Sequence, residues 1–244
     1  MGKIISIYGS PSSGKTALSI KLAGKMSKSR KKNSGVLFCS IFPSPISYVF
    51  PGFRERDFRS VGEILCKENI SEEDVLSSLI SPSSGGYICF SGYSSFDHPG
   101  SFPNSDIKRC SEYIKVLSEN LDFLFIDTDS FIHNSVLSKA ALMSSQDKIC
   151  VVSSDIKGAS WLSSCRPLIS SVQTEELLVI NDPTGMDAPI SPESKNTESK
   201  YKIRLPYSSD LDSQFQSGNL LKGNTSKMDF CLESICRMVD SNGN

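Results

Sequence analysis

The chain has 244 residues, 38% of them apolar, and a formal net charge of -1 from 26 basic and 27 acidic side chains. That length and apolar content suffice for one substantial core, so a single domain over 1–244 is expected. The balanced charge argues against nucleic acid as the main partner, and no apolar run is long enough for a transmembrane segment.

Ile4, Ile5, Ile7 and Tyr8 open the chain as a buried strand, and Ala17, Leu18, Ile20, Leu22 and Ala23 follow at helical spacing. Between them lies Gly9-Ser10-Pro11-Ser12-Ser13-Gly14-Lys15-Thr16, a complete G-x-x-x-x-G-K-[ST] P-loop between strand and helix. Further apolar runs predict strands at 36–41, 87–90, 123–126, 149–152 and 177–180, and the alternation Tyr201, Ile203, Leu205 predicts a seventh. Helical spacing joins Ile107, Cys110, Ile114 and Leu117, then Val136, Ala140 and Met143, then Leu232, Ile235 and Val239. Strands alternating with helices imply an α/β, doubly wound, mainly parallel sheet flanked by helices, with ligands at the carboxyl ends of the strands. Residues 42–60 and 182–200 are rich in proline or polar side chains. The first stretch has no assigned role, and the second is expected to be a long exposed loop.

The P-loop fixes the chemistry. Gly9 allows a tight exit from the strand, Gly14 lets backbone approach phosphate, and the helix start adds free N–H groups and a positive dipole end. The predicted nucleotide-binding residues are Gly9, Ser10, Pro11, Ser12, Ser13, Gly14, Lys15, Thr16 and Ala17. Lys15 would reach the β- and γ-phosphates, and Thr16 would bind Mg²⁺. Phe123-Leu124-Phe125-Ile126-Asp127 delivers a carboxylate beside the P-loop in Walker B fashion, so Asp127 is the second expected metal residue, with Asp129 competing. Lys15 and Asp127 are the candidate catalytic residues. Asn181, at the end of a later strand, could read a base edge or form a turn with Asp182 and Pro183. No N-K-x-D guanine signature is present, which favours ATP.

The remaining polar features are assigned bland roles. The cluster Lys25, Lys28, Arg30, Lys31 and Lys32 reads as a solvated helix end. His98 and His133 stand alone, and Trp161 is expected to pack a helix against the sheet. The eight cysteines form no C-x-x-C pair and read as buried free thiols. Residues 1–8 lack a basic leader, so a cytoplasmic protein is expected.

These pieces resemble the MinD/ParA-type P-loop ATPases, and among them the degenerate CpaE/TadZ-like members associated with pilus assembly and conjugation. Four features carry the resemblance: the early P-loop, the distant Walker B strand ending at Asp127, Val151-Val152-Ser153-Ser154-Asp155 before a helix, and Asn181 followed downstream by Ile203-Arg204-Leu205-Pro206-Tyr207. The resemblance implies ATP, Mg²⁺, a nucleotide-dependent homodimer and a protein partner in a pilus or conjugation system. It also implies that Asn181 touches adenine. Two family features are absent: Ser10 stands where a signature lysine is expected, and Ser40-Ile41-Phe42-Pro43-Ser44-Pro45 lacks the aspartate expected after the second strand. Both losses point to a slow or partner-activated ATPase. The alternative is a P-loop kinase, for which Arg54-Glu55-Arg56 is the candidate arginine-bearing lid.

Overall fold

The structure, a computed structural model, describes residues 1–50, 58–82, 87–98, 106–165, 176–182 and 201–241. In chain order its elements are β1 (Lys3–Gly9), α1 (Lys15–Arg30), β2 (Ser34–Phe38), α2 (Pro45–Val49), α3 (Val61–Leu65), α4 (Glu72–Ser77), β3 (Ile88–Ser91) and α5 (Ile107–Glu119). They continue with β4 (Phe123–Asp127), α6 (Val136–Ser144), β5 (Asp147–Ser153), α7 (Ile156–Ser164), β6 (Glu176–Asn181), β7 (Tyr201–Leu205), α8 (Ser209–Gln216) and α9 (Ser226–Ser241).

The seven strands form one parallel sheet in the order β3-β2-β4-β1-β5-β6-β7. The near-continuous apolar runs follow from helices on both faces, since alternate side chains of each strand find an apolar neighbour on either side. Ile5, Ile7, Val36, Phe38, Phe123 and Phe125 point into a core shared with α1 and α9. Ile4, Leu37, Leu124 and Ile126 enter a second core with α3–α6, built around the fully buried Tyr113. Tyr8, Cys150, Val152, Leu178 and Ile180 pack on α7, where Trp161 lies 6.2 Å from the ring of Tyr8. Trp161 therefore packs a helix against the sheet, as its sequence context suggested.

Local chemistry fixes the helix ends. Asp106 accepts the Arg109 N–H at 2.8 Å to start α5, and Asp155 accepts the Gly158 N–H at 2.8 Å to start α7. Ser71 and Asp74 form a reciprocal capping box at α4. Of the basic cluster at the end of α1, Lys28, Lys31 and Lys32 are exposed, as a solvated helix end requires, while Lys25 and Arg30 are half-buried against α9. Lys25 pairs with Asp229 at 2.8 Å and Glu233 at 3.4 Å, and Arg30 pairs with Glu233 at 3.2 Å and with Asp240. These pairs dock α9 along α1 beside the buried Leu232, Ile235 and Val239, which is ordinary packing against the sheet layer.

Among the described residues no helix is long and apolar enough to cross a membrane. The eight cysteines are unpaired, with Cys66 exposed and Cys165 and Cys231 partly buried. The expected loop at 182–200 lies outside the described residues apart from Asp182. Of the irregular stretch 42–60, Pro45–Val49 is helical and 51–57 lies outside them.

Candidate nucleotide site

β1 and β4 are neighbours in the sheet, with Ile7 level with Asp127. β1 continues into α1 on one face, and β4 leads toward α6, whose Leu137, Ala140 and Ala141 pack on the other. The two chain exits diverge at this point, so a crevice opens at the carboxyl ends of both strands, the usual ligand position in such sheets.

The loop from Gly9 to Thr16 closes one side of that crevice. Gly9 adopts φ +148, and a Cβ there would stand 1.8 Å from the Val151 carbonyl oxygen, so only glycine fits against β5. Gly14 adopts φ +89 and precedes the first residue of α1. A Cβ on it would meet the Asn181 Nδ2 at 2.9 Å. The Ser10 N–H donates to the Val151 carbonyl at 3.1 Å, and the Ser153 N–H donates to the Ser10 Oγ at 3.3 Å. The Ser10 side chain is thus turned inward and tied to β5. Asn181 donates its Nδ2 to the Ser13 carbonyl at 3.0 Å, clamping the loop from the end of β6.

Lys15 and Asp127 occupy the floor. Lys15 is 7% exposed, and its Nζ donates to the Ser10 carbonyl at 3.0 Å, the Gly9 carbonyl at 3.4 Å and the Ser130 Oγ at 2.6 Å. Burial lowers its pKa, while Asp127 and Asp129 act in the opposite direction. The Thr16 hydroxyl donates to the Asp127 Oδ2 at 2.6 Å. Burial pushes Asp127 up to about 6, against the pull of Lys15 and Thr16. The other carboxylate oxygen, Oδ1, is buried without a hydrogen-bond partner. Such an oxygen is costly unless something positive completes it. A hydroxyl and a half-satisfied carboxylate side by side are hard oxygen donors of the kind Mg²⁺ takes, so Thr16 and Asp127 fit a divalent cation. The Asp129 carboxylate is engaged differently, accepting the Phe131 N–H at 2.8 Å and holding the turn that presents Ser130.

Above the floor is a cavity of about 530 Å³ whose walls include P-loop residues Pro11 to Ala17, Asp127, Asp129 and Ser130, with Asn181, Asp182, Pro206 and Tyr207 at the β6–β7 end. Phe42, Tyr48, Leu211 and Phe215 also line it. That volume suits a small-molecule ligand. Three of these contributors carried no sequence signal: Ser130, Tyr48 and the wall from α8. His98 packs edge-on against Phe42 at 5.9 Å, and His133 lies in a short 3-10 turn. Arg54-Glu55-Arg56 lies outside the described residues. Among the described residues no group of three or more His, Cys, Asp or Glu side chains could hold a metal by itself.

No family model matches the sequence, and neither does any curated protein. The fold has clear counterparts. The chain is similar to the cell division ATPase MinD of Pyrococcus furiosus, with a TM-score of 0.78, 17% identity and full coverage of both chains. It is also similar to the septum site-determining protein MinD of Pyrococcus horikoshii OT3 complexed with Mg-ADP, with a TM-score of 0.75 and 16% identity over 100% of this chain and 98% of that one. A ParA family ATPase from Chlorobium tepidum TLS gives a TM-score of 0.76 at 12% identity, over 97% and 98% of the two chains. The architecture is that of the MinD/ParA P-loop NTPases.

Proposed function

We propose that this chain binds ATP with Mg²⁺ in the cavity above β1 and β4 and acts as a slow or partner-activated ATPase in the positioning or assembly of cellular machinery. The observation that carries this reading is the meeting of Lys15, Thr16 and the half-satisfied Asp127 under one open cavity. The shared fold supports it, since proteins named as cell division and ParA family ATPases have the same architecture over nearly their whole length.

Each residue has a defined task. The loop from Gly9 to Thr16 lays its N–H groups and the start of α1 against the phosphates. Lys15 exchanges its contacts with Ser130 and the backbone for β- and γ-phosphate oxygens. Thr16 and Asp127 hold the cation, whose charge neutralises the phosphate oxygens. Asn181, already clamped to Ser13, faces the adenine end with Asp182, Pro206 and Tyr207. The inward-facing Ser10 offers no charge to a second subunit, and no carboxylate follows β2 within 39–45, so turnover is slow without help from a partner. A nucleotide-dependent homodimer and a pilus or conjugation partner complete the proposal.

Titration calorimetry with Mg-ATP tests it, paired with size-exclusion chromatography in the presence of a nonhydrolysable triphosphate. Binding and self-association are expected for the native chain, and both are lost on Lys15→Ala. Absence of binding by any nucleoside triphosphate at millimolar concentration would overturn the reading. Transfer of phosphate to an added acceptor would replace it with the kinase alternative.

A further inference from the structure

The stretch after β2 lacks the carboxylate expected there and supplies a phenol instead. α2 begins at Pro45, which presets the first turn, and is fixed on its inner side by the buried Ile46 and Val49. Ser44 anchors the entry by donating its hydroxyl to the Tyr93 carbonyl at 2.5 Å. With those residues turned to the core, Tyr48 faces the cavity. Its ring meets Phe215 of α8 at 5.7 Å between centroids and 52° between planes. Thr16 and Asp127 line the same cavity, and burial and the Asp127 charge push the Tyr48 phenol up from its ordinary value. In the sheet β2, which leads to Tyr48, lies beside β4 and Asp127, whereas β6 and Asn181 lie on the far side of β1, so Tyr48 enters from the Asp127 side of the cavity and away from the Asn181 end where a base would sit.

A neutral hydroxyl cannot take the proton of an attacking water, but it can donate to an anionic oxygen. Unlike a carboxylate, it does not repel a triphosphate. Resting on the ATP site proposed above, we infer that Tyr48 is the residue by which this site tells a nucleoside triphosphate from a diphosphate. Its hydroxyl donates to an oxygen of the outermost phosphate, a bond that a diphosphate is too short to receive. The contact with Phe215 links that bond to α8, which contributes no fully buried side chain and lines the cavity with Leu211, Asp212 and Phe215.

The test is calorimetry on the full chain with Mg-AMPPNP and Mg-ADP, comparing the native protein with Tyr48→Phe. The variant keeps the ring and its packing and loses only the oxygen. Loss of one hydrogen bond to a charged acceptor is expected to weaken AMPPNP about tenfold and to leave ADP within about twofold. The melting temperature of the nucleotide-free variant is expected to match that of the native protein. Equal loss for both nucleotides, or no loss for either, would overturn the assignment while leaving the ATP site intact. Failure of the native chain to bind either nucleotide would overturn the ATP site itself.

Discussion

Asp127→Asn in the metal-free protein separates a carboxylate kept for a ligand from one kept for the fold. The asparagine oxygen can still accept the Thr16 hydroxyl, so the substitution keeps that bond, removes the charge and puts an amide NH2 at the unpartnered Oδ1 position. Burial holds the native carboxyl near pKa 6, against 3.8 for a free aspartate, and that value already contains the attraction of Lys15. The folded state thus binds this proton more tightly than the unfolded state. Its stabilising effect is fully present below about pH 4, the unfolded value, and is lost as pH rises through about 6. Two pKa steps at about 1.4 kcal/mol each make ionised Asp127 cost about 3 kcal/mol at pH 8. About half of that remains at pH 5. In a chain of this size the variant is expected to melt about 5–10 °C higher at pH 8, with a smaller gain at pH 5. Thermal melts in EDTA at the two pH values measure the shift, and calorimetry with Mg-ATP should show the variant binding far more weakly. A variant no more stable than the native protein at pH 8 would refute the reasoning, because the carboxylate would then be at home in its pocket without a cation.

Gly14→Ala places a side chain at φ +89 and drives a methyl to 2.9 Å from the Asn181 amide nitrogen. It is expected to cost about 1–2 kcal/mol of stability in urea melts and to lower nucleotide affinity by releasing the clamp on Ser13. Unchanged affinity would count against this loop as the phosphate cradle. At the opposite, amino-terminal end of the strands, burial pushes Glu176 of β6 up to about 7 from 4.5. Its contribution is present below pH 4.5 and lost as pH rises through about 7. Glu176→Gln should therefore melt above the native protein at pH 8, by about 1–2 kcal/mol after allowing for partial exposure, and level with it near pH 4.5. An equal offset at both values would remove Glu176 as the cause.

The strands were legible because each is a short apolar run covered on both faces, so little but tertiary burial explains residues such as 123–126 or 177–180. The P-loop was legible because Gly9 and Gly14 sit where the backbone accepts no other residue easily. The order of strands was not, since the passage of the chain across β4 from β1 to β2 leaves no mark on local sequence. α2, α3 and α4 span five or six residues each, too short for a helical period to show. α8 was missed for a different reason: it has no fully buried side chain, so Ser209–Gln216 carries only a faint apolar stripe. Those weakly marked segments supply Tyr48 and Phe215, which is why the residues on the floor of the cavity carried a sequence signal and these two wall residues did not. Asn181 was placed correctly at a strand end, but its amide holding the P-loop backbone was beyond any pattern.

The floor of the site also carries a link between occupancy and shape. Lys15 is almost fully buried, so its amine must always be paired, and Ser130 gives it the shortest of its three contacts. The ammonium has three hydrogens for these three contacts, so a phosphate that takes the amine would displace at least one of them, and Ser130 is the one side chain among the three. Ser130 lies in the turn held by Asp129, whose N–H donates to Ser138 of α6 at 2.9 Å. The turn also carries Phe131, an exposed aromatic that lines the cavity. On the function proposed above, filling the site would act on a loop that joins the buried lysine to the exposed Phe131. In the slow ATPase proposed above, the output would be the lifetime of the filled state, and a partner would read it at that surface.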